Sequence, residues 1–454
     1  MNNSREWLAK NIGFPVQDTV TGTSILETLA FLKKSQFWDE TKIREYQLKK
    51  LKSLIDYSSK NVPYYEELFG RIKLKSSDIN NVDDVSKIPI LTKDTLQQEN
   101  ASLISRTFGW KYIKKSKTGG TTGAPTLVYK DVNDRSFTWA SYYRWFEWMG
   151  LEYFDPVTTF WGARGVLSVS LKSKIKDNLT QYLQNNIVLN SFNINENTAS
   201  IYYDRISRQN PYLIKGYLSS LLDFAKFVER NNWEFDKLKA ISTTTETLLP
   251  NNREYLESIF KVPVYDQYGC GEISGIAYEC AKHQGLHINH EHVICEILDD
   301  ENKQLINQSG RLITTDLNNY IMPLIRYENG DIATITDEKC TCGVKQPLMK
   351  SIEGRSTDTI TLINGNRVHG VFFTDIFYEI GILSSVVQKF QVVQFLPGEI
   401  DLRIQCSMSF DDELRKKLIS NLMQYFSKVN FSEHETLNSE PNGKFRYIIN
   451  AVSS

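Results

Sequence analysis

The sequence predicts an α/β protein with a large N-terminal domain of several subdomains and a small α+β domain at its C-terminus. Three observations support this prediction. The first hundred residues carry apolar side chains at helical spacing, helical and strand patterns alternate from about residue 210, and the last hundred residues combine hairpin and helix patterns. Alternation of helices and strands is typical of α/β domains in which at least some strands pair in parallel.

The elements of the N-terminal part follow from these patterns. Residues 40–60 have apolar side chains at helical spacing and end just before a Val-Pro pair, so we expect a helix there. Further along, we expect one long amphipathic helix at 205–231, a short strand and loop at 237–246, another helix at 251–260, and a strand at 261–268.

The C-terminal elements predict a compact α+β unit. We expect, in order, a hairpin at 359–370 that turns at Asn364-Gly365, a helix at 371–381, a second hairpin at 386–408, an amphipathic helix with acidic side chains at its start at 411–429, and a closing strand at 445–452. We place the boundary in the sequence GRSTD, which divides the chain into domains 1–355 and 356–454.

Composition excludes several classes of protein. The 53 basic and 54 acidic residues nearly cancel, so nothing indicates a nucleic-acid partner. No apolar run approaches the roughly 18 residues of a membrane helix, and the N-terminus lacks the charged-then-apolar order of a secretory signal. We therefore expect a cytoplasmic protein with no membrane partner. Six cysteines in 454 residues do not form a disulfide scaffold.

A glycine-rich loop, SKTGGTTGAP at 116–125, is a candidate phosphate site. Its glycines allow the backbone to approach a ligand closely, and its threonines add hydroxyl donors. It is not a P-loop, because Ala124-Pro125 stands where that motif has Lys-Ser/Thr. The segment GCGEISG at 269–275 likewise fails the dinucleotide fingerprint, since its third glycine is one place late. Taken alone, the 116–125 loop is equally compatible with an ordinary flexible turn.

With its surroundings, this loop resembles part of a known family. TGGTTGAP resembles the phosphate-binding loop of the adenylate-forming superfamily, which contains acyl-CoA synthetases, luciferases and peptide-synthetase adenylation domains. Further blocks follow in the superfamily's order: TTTETL (243–248), YGCGE (268–272), TTDLNNYIMPLIRYENGD (314–331), EGRSTD (353–358) and NGKFR (442–446). Six blocks in order over most of the chain make a chance match unlikely in the extreme.

A particular branch is also indicated. Residues 57–69 (YSSKNVPYYEELF) and 89–97 (PILTKDTLQ) resemble the N-terminal region of phenylacetate–CoA ligases and their capsule-biosynthesis and coenzyme F390 synthetase relatives. Two positions depart from the wider pattern: Ala124 stands where many members have lysine, and the hinge has Ser-Thr-Asp in place of a double acid. Neither change removes a charge that the first reaction needs, because Lys444 supplies a positive charge.

The resemblance implies activation of a carboxylic acid by ATP and Mg²⁺, with these roles. Thr118, Gly119, Gly120, Thr121, Thr122 and Gly123 would cradle the β- and γ-phosphates, Glu246 and Thr247 would lie against adenine, and Tyr268 and Gly269 would line the nucleotide site. Glu272 would hold Mg²⁺, Asp331 would accept the ribose hydroxyls, and Arg355 would contact the nucleotide.

Two further residues complete the expected machinery. Lys444, in the small domain, would neutralise charge between the carboxylate and the α-phosphate when that domain closes as a mobile lid. Arg326 is left open between a ribose or phosphate contact and an ion pair.

Cysteine and histidine spacing predicts a structural zinc site. Cys280 precedes His283 by three residues, and Cys340 and Cys342 are one residue apart. Three thiolates and one imidazole form a closed tetrahedral Zn²⁺ site. Spacing alone favours His283 as the fourth ligand, whereas the resemblance of the GLHI segment to the branch favours His287, and we choose His287.

The substrate and the acceptor are less defined. Trp161 and Tyr217 are candidates for the substrate pocket, although a role in the core is as compatible with the sequence. The branch implies coenzyme A as acceptor of the acyl group, and an amine or a carrier protein is the alternative. A non-catalytic nucleotide-binding scaffold is the contrasting class, against which Glu272, Asp331 and Lys444 argue together. A homodimer is compatible with the sequence.

Overall fold

The computed structural model describes most of the chain. The described residues are 2–107, 113–117, 127–161, 178–191, 194–355, 360–363, 365, 367–368, 372–373, 376–377, 380–382, 386–406, 410–438 and 445–452. Within these ranges, no helix combines the length and the apolar character needed to cross a membrane.

The helices lie mostly in the first 260 residues. They are α1 (Asn2–Leu8), α2 (Phe14–Thr21), α3 (Ile25–Ser35), α4 (Glu40–Asn61), α5 (Pro63–Ile72), α6 (Lys93–Gln98), α7 (Val132–Trp148), α8 (Glu196–Gln209), α9 (Leu218–Asn231), α10 (Pro250–Phe260) and α11 (Asp412–Leu422), with a π-helical turn at Ala9–Gly13 and 3₁₀ turns at Ser76–Asp78 and Val82–Lys87. The predicted helix at 40–60 is confirmed as α4, which begins where Asp39 caps the Lys42 amide and ends before Pro63.

A parallel sheet forms the first β-layer. Its spatial order is β4 (Asn186–Asn190), β3 (Val157–Trp161), β5 (Leu213–Tyr217), β6 (Ala240–Thr244) and β7 (Val264–Tyr265). Helices cover both faces, because Leu213 packs with the α3 and α7 side chains while Ile214 packs with those of α8, α9 and α10. This arrangement is the α/β layer that the alternating pattern predicts.

The prediction of one long helix at 205–231 is wrong. The chain instead leaves α8 at Asn210, runs through β5 and re-enters a helix at Leu218. Pro211 cannot continue a helix, and Leu213–Tyr217 is a short strand paired on both sides. A short apolar run of this kind fits a strand and a helix equally well by periodicity, and here sheet pairing decides.

An antiparallel sheet of seven strands forms the second β-layer. Its order is β11 (Val293–Leu298), β12 (Ser309–Asp316), β13 (Tyr327–Thr336), β14 (Leu348–Arg355), β10 (Leu286–Ile288), β9 (Ala277–Glu279) and β8 (Gln267–Tyr268). The strand expected at 261–268 is therefore two short strands in different sheets, with Asp266 between them. This crossing places Tyr268 beside both layers.

The C-terminal residues build a separate sheet. Its order is β19 (Lys428–His434), β18 (Glu399–Cys406), β17 (Val387–Leu396) and β20 (Ile448–Asn450), and a short hairpin joins β15 (Ile360–Thr361) to β16 (Arg367–Val368). The two predicted hairpins and the closing strand are confirmed, and the helix expected at 411–429 is confirmed as α11, which ends at Leu422. The helix expected at 371–381 lies largely outside the described residues. Strand β19 is missing from the prediction, since it is an edge strand whose side chains are mostly exposed and carry little apolar alternation. The remaining pair, β1 (Lys114–Lys117) and β2 (Leu127–Lys130), is a ribbon on either side of the glycine-rich loop.

One contact region joins the C-terminal sheet to the parallel-sheet layer. Leu249, just before α10, belongs to the buried cluster of the C-terminal residues, and the Asn252 amide lies 3.5 Å from the Tyr447 hydroxyl. The start of α10 therefore supports the small C-terminal domain. The predicted fold class, α/β with several sheets and a small α+β unit at the C-terminus, is confirmed.

Candidate active site and metal centre

The carboxyl edge of the parallel sheet forms one wall of a candidate cleft. Trp161, Tyr217 and Thr244 end the neighbouring strands β3, β5 and β6 at this edge. In open parallel sheets, ligands bind beyond the carboxyl ends of the strands. The rings of Trp161 and Tyr217 lie 4.8 Å apart, and Trp161 is 42% exposed. The structure thus brings together the two side chains predicted for the substrate pocket and leaves Trp161 accessible.

The loop after β6 is held against the start of α9. Ser219 donates to the Glu246 carboxylate through its backbone amide at 3.2 Å and its hydroxyl at 2.8 Å. A carboxylate is favoured at this position, because helix N-termini carry unpaired N–H donors and a positive dipole end. Thr245 has a φ of +73°, which turns the loop sharply before Thr247. Glu246 and Thr247, predicted to lie against adenine, are therefore fixed at the carboxyl edge.

Tyr268 and Asp331 meet where the two layers join. The Tyr268 hydroxyl donates to Asp331 Oδ2 at 2.5 Å, and the Asn329 side-chain amide contacts both groups, at 2.7 Å from the hydroxyl and 3.0 Å from Oδ2. The backbone of Gly269 approaches so closely that an added Cβ would lie 2.9 Å from the Gly275 nitrogen. These contacts fix the position of the Asp331 carboxylate before any ligand binds.

Glu272 lies within the same acidic region. It is 7% exposed and accepts a hydrogen bond from the Tyr327 hydroxyl at 3.2 Å. Burial and the neighbouring Glu272 carboxylate raise the pKa of Tyr327, and burial raises the pKa of the adjacent Cys270 thiol. The region therefore places carboxylate oxygens beside a phenol and a thiol whose pKa values are raised, and these oxygens fit a hard cation such as Mg²⁺.

Four side chains converge at one end of the antiparallel sheet. Cys280 follows β9, His287 lies in β10, and Cys340 and Cys342 lie in the connection from β13 to β14. Their ligand atoms all lie within 4.8 Å of one another, with 3.6 Å between the Cys280 and Cys340 sulfurs and 3.3 Å between Cys342 Sγ and His287 Nε2. A tetrahedral Zn²⁺ with bonds of about 2.3 Å to sulfur and about 2.0 Å to nitrogen requires edges of roughly 3.8 and 3.5 Å. The donor set and its spacing fit zinc.

The two candidate histidines, His287 and His283, have different surroundings. His287 Nδ1 lies 3.4 Å from the Gln346 carbonyl oxygen, which leaves Nε2 directed toward the sulfurs. Burial lowers the pKa of His287 to about 4, so its imidazole is neutral, as a metal ligand must be. His283 instead lies beside Arg253 and Glu279, 3.1 and 3.2 Å from their side chains.

Arg326, which the sequence left open between a nucleotide contact and an ion pair, forms an ion pair. Its guanidinium forms a two-pronged ion pair with Glu296, at 2.9 and 3.0 Å, and donates to the Ile88 carbonyl oxygen at 2.7 Å. It is 4% exposed. Because these contacts occupy the side chain within the protein, Arg326 is not a nucleotide contact in this structure.

Some predicted residues cannot be located. Thr118–Gly123 and Lys444 lie outside the described residues. Arg355 ends β14, and its backbone lies opposite Asp331 in the sheet register, while its side chain is outside the described part.

Sequence reasoning missed a buried polar cluster beside the candidate cleft. Asp134, His292 and Asp316 are fully buried, and His292 lies 3.8 Å and 3.6 Å from the two carboxylates. Burial and the neighbouring Asp134 carboxylate raise the pKa of Asp316 well above its usual range. Asp134 comes from α7 and Asp316 from β12, so no local spacing in the sequence could reveal the cluster.

A second missed residue is Lys215, in the middle of β5. Its ammonium nitrogen lies 5.4 Å from the centroid of the Tyr142 ring and 5.7 Å from that of Phe146. Burial lowers its pKa to about 8. The only signal in the sequence is a lysine inside an otherwise apolar strand.

The chain is similar to several known proteins. A family model described as the CapK C-terminal domain matches residues 360–451. Protein CapK of Staphylococcus aureus is 25% identical over 427 residues, which cover 90% of this chain and 89% of the relative. Phenylacetate-coenzyme A ligase of Thermus thermophilus is 25% identical over 407 residues, covering 84% and 85%.

A solved structure shares the fold over nearly the whole chain. It is 2-hydroxyisobutyryl-CoA ligase in the postadenylation state, with a TM-score of 0.75, 16% identity, and coverage of 92% of this chain and 91% of that one. The six sequence blocks, the shared fold and these relatives confirm the resemblance. Over most of its length the chain is therefore similar to CapK and to the phenylacetate–coenzyme A ligases, and it shares the fold of a CoA ligase.

Proposed function

We propose that this protein activates a carboxylic acid with ATP, forming an acyl-adenylate and pyrophosphate, and then transfers the acyl group to coenzyme A. The observation that carries the proposal is the Asp331 carboxylate, held by Tyr268 and Asn329 next to the edge where parallel strands end. A carboxylate fixed in this way accepts hydroxyl donors at little cost of reorganisation, which suits the ribose of a nucleotide.

The remaining residues divide the work of the first reaction. The acid and the α-phosphate are both negative, so the reaction needs positioning and neutralisation of charge. In this proposal, the adenine lies along Glu246 and Thr247, and Glu272 contributes an oxygen ligand to the Mg²⁺ that accompanies ATP. The Mg²⁺ offsets phosphate charge, Thr118–Gly123 hold the leaving pyrophosphate, and Arg355 contacts the nucleotide.

Lys444 and the small domain complete the first step in this proposal. Residues 356–454 act as a lid that carries Lys444 and turns after adenylation. Support comes from the separate sheet of these residues and from their contact with the loop before α10, where Leu249 and Asn252 lie close to the Glu246 loop. A lysine delivered only on closure stabilises the transition state and not the bound substrates.

The proposed zinc is structural. Three thiolates and one imidazole would fill its coordination shell, which leaves no position for water or substrate. The ion would join the β9–β10 turn to the β13–β14 connection, 60 residues further along the chain from Cys280 to Cys340. Its role is then to fix one end of the antiparallel sheet, whose strands β8 and β13 carry Tyr268 and Asp331.

Exchange of labelled pyrophosphate into ATP tests the proposal. Purified protein is incubated with a panel of carboxylic acids, with and without coenzyme A, and Glu272→Gln serves as the inactive control. We expect exchange that depends on the acid and needs no coenzyme A, together with thioester formation when coenzyme A is added. A protein that binds ATP but shows no exchange with any acid is a nucleotide-binding scaffold. Exchange without thioester, but with amide on addition of amines, would replace coenzyme A as the acceptor.

A further inference from the structure

Lys215 lies at a position that an ordinary structural lysine does not occupy. It is the third residue of β5, the strand between β3 and β6 in the parallel sheet. Side chains alternate between the faces of a strand, so Lys215 shares a face with Leu213 and Tyr217. That face is directed toward α7, where Tyr142 and Phe146 lie beside the ammonium group.

Lys215 lies a short distance from the carboxyl edge of the parallel sheet. Tyr217, at the carboxyl edge, lies two positions after Lys215, which is about 6.6 Å along a strand. The side chain is surrounded by protein and still keeps some solvent-accessible surface. If a ligand occupies the candidate cleft at the carboxyl edge of the sheet, Lys215 would form its floor, and Trp161 and Tyr217 would form its rim.

Among the described residues, no carboxylate pairs with the Lys215 ammonium group. Lys215 takes part in no hydrogen bond or ion pair there, and burial alone lowers its pKa. Lys130 shows the contrast, since it donates to Ser274 at 3.0 Å and lies 3.8 Å from Asp134.

A buried cation without a counter-charge destabilises the fold. The two aromatic rings recover only part of that loss through cation–π contacts. A methionine would fill the same space without the free-energy cost of burying a charge. We therefore expect the positive charge of Lys215 to serve a function. Its position in the cleft indicates that a ligand supplies the missing negative charge.

We propose that Lys215 binds a second carboxylate of the substrate, so that the acid activated by this protein is a dicarboxylic acid. One carboxylate reacts at the rim, near the nucleotide, and the other pairs with Lys215 on the floor. The aromatic side chains between the two ends favour a spacer that is apolar, such as a ring. This inference rests on the proposed adenylation activity, and the experiment separates the failure of one from the failure of the other.

The test compares acids that differ only in the second carboxylate. Pyrophosphate exchange is measured with terephthalate against benzoate, and with 4-carboxyphenylacetate against phenylacetate, for the wild type, Lys215→Met and Lys215→Arg. Lys226→Met is the matched control, because Lys226 is an exposed lysine of α9 paired with Asp223. We expect the wild type to prefer the diacids at least tenfold in kcat/KM, Lys215→Met to lose that preference, and Lys215→Arg to retain part of it.

A second measurement does not depend on catalysis. Terephthalate should raise the Tm of the wild type and of Lys226→Met but not that of Lys215→Met, whose own Tm should equal or exceed that of the wild type. A wild type that prefers monoacids, or a Lys215→Met variant that loses activity equally with both members of each pair, would overturn the inference and leave adenylation intact. If no acid supports exchange, the proposed function fails, and a terephthalate shift that is unaffected by Lys215→Met then rejects the inference separately.

Discussion

The contribution of Asp331 to nucleotide recognition can be isolated by comparing nucleotides. If Asp331 accepts the ribose hydroxyls, 2′-deoxy-ATP and 3′-deoxy-ATP lose a hydrogen bond that ATP makes. A hydrogen bond to a charged group contributes about 1.5–3 kcal/mol, which is roughly 10- to 150-fold in affinity. Asp331 is only half-buried, so water replaces part of the interaction and the lower end applies. We expect a KM ratio of about tenfold between a deoxy-ATP and ATP in the wild type.

The variant Asp331→Ala should bring this ratio close to one. Any general damage to the site affects ATP and its deoxy analogues alike and cancels in the ratio. Asp337→Ala is the matched control, because Asp337 follows the C-terminal end of β13, is exposed, and accepts a hydrogen bond from the Asn307 side chain at 2.9 Å. The assay is acid-dependent pyrophosphate exchange at varied nucleotide concentration. An Asp331→Ala enzyme that discriminates as strongly as the wild type would refute the assignment.

Three further predictions address the metal, the ion pair and the lid. Protein purified without chelator should contain about one zinc per chain, which His287→Ala should lose and His283→Ala should keep; the reverse pattern would reassign the ligand. Arg326→Met should lower the free energy of unfolding by about 3–5 kcal/mol, since it leaves a buried carboxylate unpaired, while the KM for ATP in the folded enzyme stays unchanged; a raised KM with normal stability would contradict the structural role. Lys444→Ala should reduce adenylation by orders of magnitude but affect thioester formation from a supplied acyl-adenylate much less. Equal losses in both half-reactions would indicate damage to the lid, and undiminished adenylation would reject the catalytic role.

The sequence was sufficient for features that depend on short contiguous segments. Helix α4, the two C-terminal hairpins and the blocks around Tyr268 and Asp331 are local, so capping, turn residues and spacing define them. Strand β5 could not be separated from α9, because a short and mostly apolar segment fits both periods and only pairing with β3 and β6 decides.

Features that depend on sheet register were beyond the sequence. Arg326 pairs with Glu296 only because β11, β12 and β13 bring residues 30 positions apart together. The spacing of the cysteines and histidines alone favoured His283, and only the resemblance of the GLHI segment pointed to His287, whose Nε2 lies beside Cys342 Sγ. Lys215 is unusual only when the absence of an acid around it, among the described residues, can be seen.

Transfer of oxygen from the acid tests the central claim most directly. The acid that gives the fastest exchange is labelled with ¹⁸O in its carboxylate and turned over with ATP and coenzyme A, and the products are analysed by mass spectrometry. If the carboxylate attacks the α-phosphate, AMP acquires one ¹⁸O atom for each acyl group transferred and pyrophosphate acquires none. Label in inorganic phosphate together with ADP would show attack at the γ-phosphate and would contradict the formation of an acyl-adenylate.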